Sequence, residues 1–363
     1  MKDRFFLFWN RVNLFVYKFI TKLAYIKIIN KKCSQKNLLS ISEKKNIKKY
    51  WKNNFNKNIS LKEYNWYKNL KVTISPRLIP DLVWHSEIEP FFCNINYEKA
   101  VQDKNYLDTI VERKNSPETL LRCINNELLN GSYEHVDVNQ CMQIIRKYDE
   151  VILKPSIDSG GGRNIQFLKP NVINEIEINK LIEEYDGNFI IQKIIEQNKF
   201  LSKFNSKSIN TIRIMSLLYK GNVFILSSFL RIGGKNNRTD NVSTGGAFIP
   251  ISLDGKLKEY AFVENLKSHS LEQIEKLDNN IEFANCEILE WNKIKDTITK
   301  YHYRLPHFGI INWDVSINKK GDPIIIEYNL IDSSCSFHQI GNGPIFGEMT
   351  DMILNDIYNS KGR

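Results

Sequence analysis

Short apolar stretches, separated by polar segments, recur along the chain from residue 100 onward and predict a mixed α/β body. Stretches rich in β-branched and aromatic residues and bounded by Gly, Asn or Asp are typical of strands. The predicted strands are 151–156, 188–195, 210–219, 222–233 and 309–317. Apolar residues at helical spacing predict the helices 176–186, 270–278 and 290–303. We therefore expect an α/β (α+β) fold with several sheets.

The N-terminal segment has a different pattern, in which apolar and aromatic residues recur at helical spacing beside basic residues. Residues 1–57 hold fifteen Lys or Arg and two Asp or Glu, a net charge of +13. This pattern predicts a basic amphipathic helix over residues 1–30. Arg11, Lys18 and Lys22 interrupt its apolar runs well short of the ~20 residues that a membrane span needs. The helix is expected either to lie on an anionic membrane surface or to pack on the body of the protein.

Two further segments precede the body. Residues 31–58 are polar and rich in Lys and Asn, and we expect a helix and a linker there, anchored by Trp51 and Phe55. Residues 70–95 carry three prolines among apolar residues. Because proline disfavours helix at its own position and at the preceding one, this segment is expected to be extended and irregular.

Charge and cysteine content narrow the class of protein. The whole chain has a net charge of +10, which leaves residues 58–363 at −3. The body therefore has no excess of basic residues, and nucleic acid is not an expected partner. The six cysteines form no CxxC pair, so we expect no zinc site and a reduced, cytoplasmic location. The alternative location is peripheral, at the inner face of the cell membrane through residues 1–30.

The stretch ILKPSIDSGGGRN (152–164) is the first that suggests chemistry. Its glycines, Gly160 to Gly162, could offer backbone N–H groups to a phosphate. A P-loop carries its lysine after the glycines, whereas Lys154 precedes them and Arg163 follows them. The stretch is therefore either a nucleotide site of another kind or a glycine-rich turn between two strands.

The stretch NWDVSINKKGDPIIIEYNL (312–330) predicts two strands around a tight turn. If Asn318 faces Pro323, the antiparallel register places Asp314 opposite Glu327. Asn329 then projects from the same face as Glu327. Two carboxylates and an amide oxygen are hard ligands suited to Mg²⁺. The alternative is that Glu327 pairs with a basic residue and Asn329 caps a turn.

Together these two stretches resemble the ATP-grasp superfamily, which has a strand lysine before a Gly-rich loop and an Asp…Glu-x-Asn set near its C-terminus. Four further motifs resemble the sugar-transfer-associated ATP-grasp family: QDKN (102–105), SINTIRIMSL (208–217), FLRIGG (229–234) and TDNVSTGGAFIPIS (239–252). Arg163 departs from the resemblance, because a Lys or a small residue is expected there.

The resemblance implies a two-lobed fold with a nucleotide cleft between the lobes, preceded by the basic helical extension. The implied divisions are the extension 1–58, a connecting region 59–100, a lid lobe 101–198 and a core lobe with the metal site 199–363. The implied cofactors are ATP and Mg²⁺, with two ions. The metal ligands are Asp314, Glu327 and Asn329.

By the same resemblance, Lys154 and Lys104 neutralise the α- and β-phosphates, and the Gly-rich loop closes over them as a lid. The adenine hydrogen-bonds backbone groups of the stretch 192–195, where side chains are expected to matter little. Glu196 holds the ribose, or is a solvated loop charge. The residues implied to bind the nucleotide are Lys104, Lys154, Ser159, Gly160, Gly161, Gly162, Gln192, Lys193, Ile194, Ile195 and Glu196.

Three residues are implied to act near the γ-phosphate. Arg213 and Arg231 lie on strands expected to face the cleft and would stabilise the charge that spreads onto it; the alternative is a role in ion pairs. Asn241 would position phosphate or metal-bound water, or is a turn residue. Asp240 is expected to brace its loop. Further candidates, each with an ordinary structural role as the alternative, are Asn210, Cys335 and His338.

The function that the resemblance implies is an ATP-dependent carboxylate–amine ligase in surface polysaccharide or glycan biosynthesis. Its partners would be a small-molecule or glycan carboxylate, such as a uronic acid, and an amine. The first alternative is a phosphotransferase acting on a sugar hydroxyl. The second is a non-catalytic, membrane-associated nucleotide-binding module of a glycan-assembly complex.

Overall fold

The computed structural model of the chain describes residues 20, 23, 25–27, 38–157, 162–234, 237–238, 240, 245–265, 270–277, 281–284 and 286–360. Within these residues the chain forms two antiparallel sheets with helices packed against them. The predicted mixed α/β fold class is therefore confirmed.

The smaller sheet has five strands in the order β2-β1-β5-β3-β4. These strands are β1 Thr119–Ile124, β2 Glu127–Asn130, β3 Val151–Pro155, β4 Gln166–Leu168 and β5 Phe189–Lys193. The helices Val138–Ile145 and Glu175–Glu184 bury their apolar residues with those of the sheet in a separate core. The first helix begins at a capping box, in which Asp137 accepts from the backbone N–H of Gln140 at 2.8 Å and Gln140 accepts in return.

The larger sheet has seven strands in the order β10-β9-β8-β7-β6-β11-β12. These strands are β6 Thr211–Tyr219, β7 Asn222–Ile232, β8 Ala247–Ile251, β9 Ala261–Glu264, β10 Leu271–Ile274, β11 Ile310–Ile317 and β12 Pro323–Asn329. Every residue of β11 is buried, as expected for an interior strand covered on both faces. The helices Trp291–His302 and Ser336–Asn342 pack against this sheet.

The remaining α-helices add apolar residues to the core around the larger sheet. They are Ile41–Phe55, Lys62–Asn69, Asp81–Val83, Glu89–Phe92, Glu98–Val101, Leu107–Ile110, Lys199–Phe204 and Thr350–Ser360. Trp51 and Phe55 are buried, which confirms them as anchors, and Trp51 Nε1 donates to the Tyr64 hydroxyl at 2.8 Å. Among the described helices, none is long and apolar enough to cross a membrane.

The predicted helix at 270–278 is wrong. Leu271–Ile274 forms β10 at the edge of the larger sheet, where Leu271 pairs with Glu264 of β9. Its apolar residues recur at helical spacing, but the backbone hydrogen bonds that β9 offers favour the extended form. Sheet context therefore overrides local pattern in this segment.

The prediction that residues 70–95 are extended and irregular is wrong for their second half. Residues 81–92 are helical throughout and include a π-helical segment, Trp84–Ile88. Pro80 sits at the N-cap of this run, where no backbone N–H is needed. Pro90 lies just after the π-helical segment, at the start of the helix Glu89–Phe92. The wider π-turn there accommodates the missing N–H.

Most of the predicted N-terminal helix lies outside the described residues. Of its described positions, Tyr25 is helical and contacts the body of the protein. Its ring stacks on His85 with a centroid distance of 3.8 Å. Its hydroxyl donates to Asp332 Oδ1 at 3.3 Å. The docking of residues 1–30 on a membrane surface stays a prediction.

Candidate functional site

A cavity of 590 Å³ lies between the two sheets. Its walls come from β3 and β5 of the smaller sheet, from the linker after β5, and from β6, β7, β11 and β12 of the larger sheet. Every predicted site residue that the structure describes lines it: Lys104, Lys154, Gly162, Gln192, Lys193, Ile194, Ile195, Glu196, Arg213, Arg231, Asp314, Glu327 and Asn329. The other four predicted residues, Ser159, Gly160, Gly161 and Asn241, lie outside the described residues.

The hairpin of β11 and β12 places Asp314 directly opposite Glu327. The register predicted at the turn is wrong by one residue, because Pro323 pairs with Ile317 and not with Asn318. A β-bulge in β12 next to Glu327 absorbs the difference. The bulge restores the predicted carboxylate pair, so both acidic groups project into the cavity from adjacent strands.

Asp314 is the centre of a buried ionic network. Arg213 donates to both of its carboxylate oxygens, from Nε at 2.7 Å and from Nη2 at 2.6 Å. Arg231 Nη1 lies 3.4 Å from Asp314 Oδ2, and Arg231 also donates to Asp240, which in turn accepts from Thr211. Although burial opposes it, the two guanidinium groups hold the pKa of Asp314 well below its usual range.

Lys154 reaches the cavity from β3 with its side chain almost fully buried. Its Nζ donates to Gln192 Oε1 at 3.3 Å, and Gln192 donates to Thr119 Oγ1 at the same distance. Burial lowers the pKa of Lys154 to about 8, with the charge of Glu327 opposing this shift and that of Lys104 adding to it. An anion placed beside Lys154 would favour its charged form.

Lys104 lies beside Glu327 in the lining of the cavity, with 3.6 Å between Nζ and Oε2. The turn that carries it is fixed locally, because the Asp103 side chain accepts from the backbone N–H of Asn105 at 2.8 Å. The Lys104 N–H also donates to the carbonyl of Ser156 at 2.9 Å. The predicted second lysine and the predicted metal ligand therefore belong to one wall of the cavity.

Glu196 lies at the exposed rim of the cavity, where it pairs with Lys319 from the turn between β11 and β12. The Lys319 N–H donates to the Glu196 carbonyl at 3.0 Å. The ion pair lowers the pKa of Glu196. These contacts connect the linker after β5 to the turn between β11 and β12. A role of Glu196 in holding a ribose stays a prediction.

The further candidates, Asn210, Cys335 and His338, do not line this cavity and have structural roles. Asn210 is fully buried and donates to the carbonyls of Leu201 and Asn205, both at 2.8 Å. His338 is buried, with Nε2 3.0 Å from Asn312 Oδ1, and burial lowers its pKa to about 3. Cys335 is also fully buried. The alternative of ordinary packing therefore fits all three.

Two contacts in the site were not predicted from the sequence. The side chain of Gln192 holds Lys154, although only backbone roles were expected at 192–195. Asp240 anchors Arg231 through hydrogen bonds of 2.6 Å and 3.1 Å. The sequence signal for this second contact was the position of Asp240 in the TDN motif, nine residues after Arg231.

The fold has two sheets with a cavity between them that is lined by both basic and acidic side chains. Residues 88–353 match the model of the family described as sugar-transfer associated ATP-grasp. This match covers most of the chain, and the protein belongs to this family. The predicted resemblance is thereby confirmed.

Solved structures with a similar fold include L-amino acid ligase from Bacillus licheniformis, at 12% identity and a TM-score of 0.38, covering 71% of this chain and 47% of that chain. The biotin carboxylase domain of 2-oxoglutarate carboxylase from Hydrogenobacter thermophilus, with MgADP, ADP and bicarbonate, has 16% identity, a TM-score of 0.37 and coverages of 72% and 46%. D-alanyl-alanine synthetase A from Vibrio cholerae has 12% identity, a TM-score of 0.42 and coverages of 74% and 68%. The chain spans about half the length of the first two. No curated protein matches it.

Proposed function

We propose that this protein is an ATP-dependent ligase that joins the carboxylate of a sugar acid to an amine during glycan assembly. One observation carries the proposal. Two lysines, two arginines and two carboxylates from separate segments of the chain converge on one cavity of 590 Å³. A triphosphate with Mg²⁺ needs this combination of cationic and acidic walls.

The phosphates would lie between Lys154 and Lys104, each of which can offer a charged ammonium group. Lys154 is the more buried of the two, so its interaction with a phosphate is screened least by water. The adenine would occupy the linker side of the cavity, where Ile194 and Ile195 form apolar walls. Backbone groups of this linker would supply the hydrogen bonds to the base.

Mg²⁺ fits the part of the cavity formed by β11 and β12, because Asp314, Glu327 and Asn329 present two carboxylates and an amide oxygen on rigid strands. When bound, it would neutralise part of the charge of the triphosphate. Arg213 occupies both oxygens of Asp314 in this structure. On nucleotide binding we expect Arg213 to exchange this carboxylate for the γ-phosphate, which frees an oxygen of Asp314 for the metal.

In the proposed reaction, a carboxylate oxygen of the sugar acid forms a bond to the γ-phosphorus. The bond from that phosphorus to the β,γ-bridging oxygen breaks, and ADP leaves with the electron pair. The amine nitrogen then attacks the acyl carbon, phosphate departs, and the nitrogen loses a proton. Arg213 and Arg231 would stabilise the charge that develops on the transferred group, and closure of the cavity would exclude water from the acyl phosphate.

Product analysis tests this proposal. The protein is incubated with Mg-ATP, D-glucuronate and a panel of amino acids, and the products are measured by ADP release and mass spectrometry. We expect ADP release that requires both the sugar acid and the amine, together with the mass of an amide. A phosphorylated sugar formed without any amine would establish the phosphotransferase instead. Nucleotide binding without turnover on the whole panel would favour the non-catalytic module.

Glu327→Ala provides the matched variant for this assay. Loss of one strong electrostatic contact in the transition state costs about 3–4 kcal/mol, which corresponds to a fall in rate of roughly 100- to 1,000-fold. Exposed Glu259 lies outside the cavity, so Glu259→Ala should retain the wild-type rate. Near-normal turnover in Glu327→Ala would refute the assignment of Glu327.

A further inference from the structure

A second cavity, of 270 Å³, adjoins the nucleotide cavity at Lys104 and Glu327. It shares Lys104, Ile326, Glu327 and Asn329 with the nucleotide cavity. A ligand in the second cavity would therefore meet the same lysine and metal-ligand set. Its volume lies just below the range of about 300–1,000 Å³ that is typical of drug-sized ligands, so it suits a single sugar ring.

Two polar atoms in this cavity are buried without a hydrogen-bond partner among the described residues. They are Gln102 Oε1 and Ser156 Oγ. Both residues line the second cavity and neither lines the first. A buried polar atom without a partner costs about 1–3 kcal/mol, so a ligand that hydrogen-bonds to both atoms in this small cavity would recover part of that cost.

The chemistry of these atoms restricts the ligand. Gln102 Oε1 only accepts hydrogen bonds, so it needs a hydroxyl or N–H group and cannot be satisfied by a phosphate oxygen. Ser156 can donate or accept. Lys99 and Lys104 contribute cationic groups to the lining, Glu98, Asp103 and Glu327 contribute acidic ones, and Ile157 and Ile326 contribute apolar ones. Hydroxyl groups, an anionic group and a C–H face occur together in a sugar acid.

We propose that the second cavity binds the sugar acid, with its hydroxyl groups on Gln102 and Ser156 and its carboxylate directed to Lys104. This inference rests on the proposed function and assigns its carboxylate substrate to one cavity. From this position the carboxylate lies beside Lys104, Glu327 and Asn329, which also line the nucleotide cavity, and is therefore next to the expected position of the γ-phosphate. Gln102 and Ser156 thereby become specificity residues outside the nucleotide site.

Saturation-transfer NMR with D-glucuronate in the presence of Mg-ADP tests the proposal. We expect transfer to D-glucuronate in the wild type, and binding weaker by about fivefold or more in Gln102→Leu and in Ser156→Ala, because each loses one hydrogen bond to a hydroxyl. D-glucose, which lacks the carboxylate, should bind more weakly than D-glucuronate. Mg-ADP should bind both variants as it binds the wild type, because neither residue lines the nucleotide cavity.

The outcomes separate this inference from the function on which it rests. Normal Mg-ADP binding without any transfer to D-glucuronate, or with transfer unchanged in both variants, would overturn the inference and leave the proposed nucleotide site intact. Transfer to free amino acids and not to D-glucuronate would also overturn it, because the cavity would then take the amine. If Mg-ADP fails to bind the wild type, the proposed function fails and the inference fails with it.

Discussion

We expect Lys154 to make nucleotide binding dependent on pH in a range where few side chains titrate. Burial lowers its pKa from the usual 10.5 to about 8. A phosphate beside Lys154 would favour the charged form and raise this pKa again. Nucleotide binding is then linked to proton uptake, so the affinity for ATP must fall as the pH rises through 8.

The size of the effect follows from the position of this pKa. At pH 7 most molecules carry the proton on Lys154 before ATP binds. At pH 9, one unit above the pKa of about 8, roughly one molecule in ten does so. If the complex remains protonated, the Kd for Mg-ATP rises about tenfold between pH 7 and pH 9, or ~1.4 kcal/mol. Isothermal titration calorimetry at both pH values measures this change directly.

Lys154→Arg is the matched variant, because a guanidinium group stays charged over this range. Its Kd should change little between pH 7 and pH 9, whatever its absolute value. Exposed Lys180 lies in the helix Glu175–Glu184, away from the cavity, and Lys180→Arg should keep the wild-type pH dependence. A wild-type Kd that is constant over this range, or an equal rise in Lys154→Arg, would refute the reasoning.

Three further predictions concern stability. Asp314→Asn removes the buried carboxylate that the partly buried Arg213 and Arg231 share and should cost about 1.5–3 kcal/mol in urea unfolding. An unchanged midpoint would contradict the ionic network. Gly255→Ala should destabilise the protein by about 1–3 kcal/mol in thermal unfolding, because φ is +93° and the new Cβ would lie 2.5 Å from Trp291. Gly221→Ala is the control and should cost less, because Gly221 has a similar φ of +80° but no atom close to the new Cβ. Burial lowers the pKa of His302 from 6.5 to about 4, so its contribution is present above pH 6.5 and is lost as the pH falls toward 4. We expect wild type to lose about 2–3 kcal/mol from this group between pH 7 and pH 4.5, and His302→Gln to lose correspondingly less.

The parts of the site that depend on local sequence could be predicted. Asp314 and Glu327 lie on two strands joined by a short turn, and Gly321 in that turn adopts φ of +77°. A tight hairpin fixes which residues face each other, so the carboxylate pair follows from the residues between them. The β-bulge in β12 could not be foreseen, because its cause is the fit of the strand to the sheet and not a residue type.

Contacts between residues far apart in the sequence could not be predicted from local sequence patterns. Arg213 and Asp314 are 101 residues apart in sequence and meet because β6 pairs with β11. Gln102 and Ser156 converge only when the turn before Lys104 packs against the end of β3. The helical segment 81–92 was also not predicted, because the prolines near its ends favour irregular structure. Burial of its apolar residues stabilises the helical form instead.

Thermal unfolding with and without Mg-ATP tests the central claim, a Mg-nucleotide site between the two sheets, most directly. A ligand at 100 times its Kd stabilises the native state by about 2.7 kcal/mol, which raises Tm by a few degrees in a protein of this size. We predict a Mg²⁺-dependent rise in wild type and in Glu259→Ala, and a much smaller rise in Glu327→Ala. No rise in wild type at millimolar Mg-ATP, or an equal rise in all three proteins, would contradict the account.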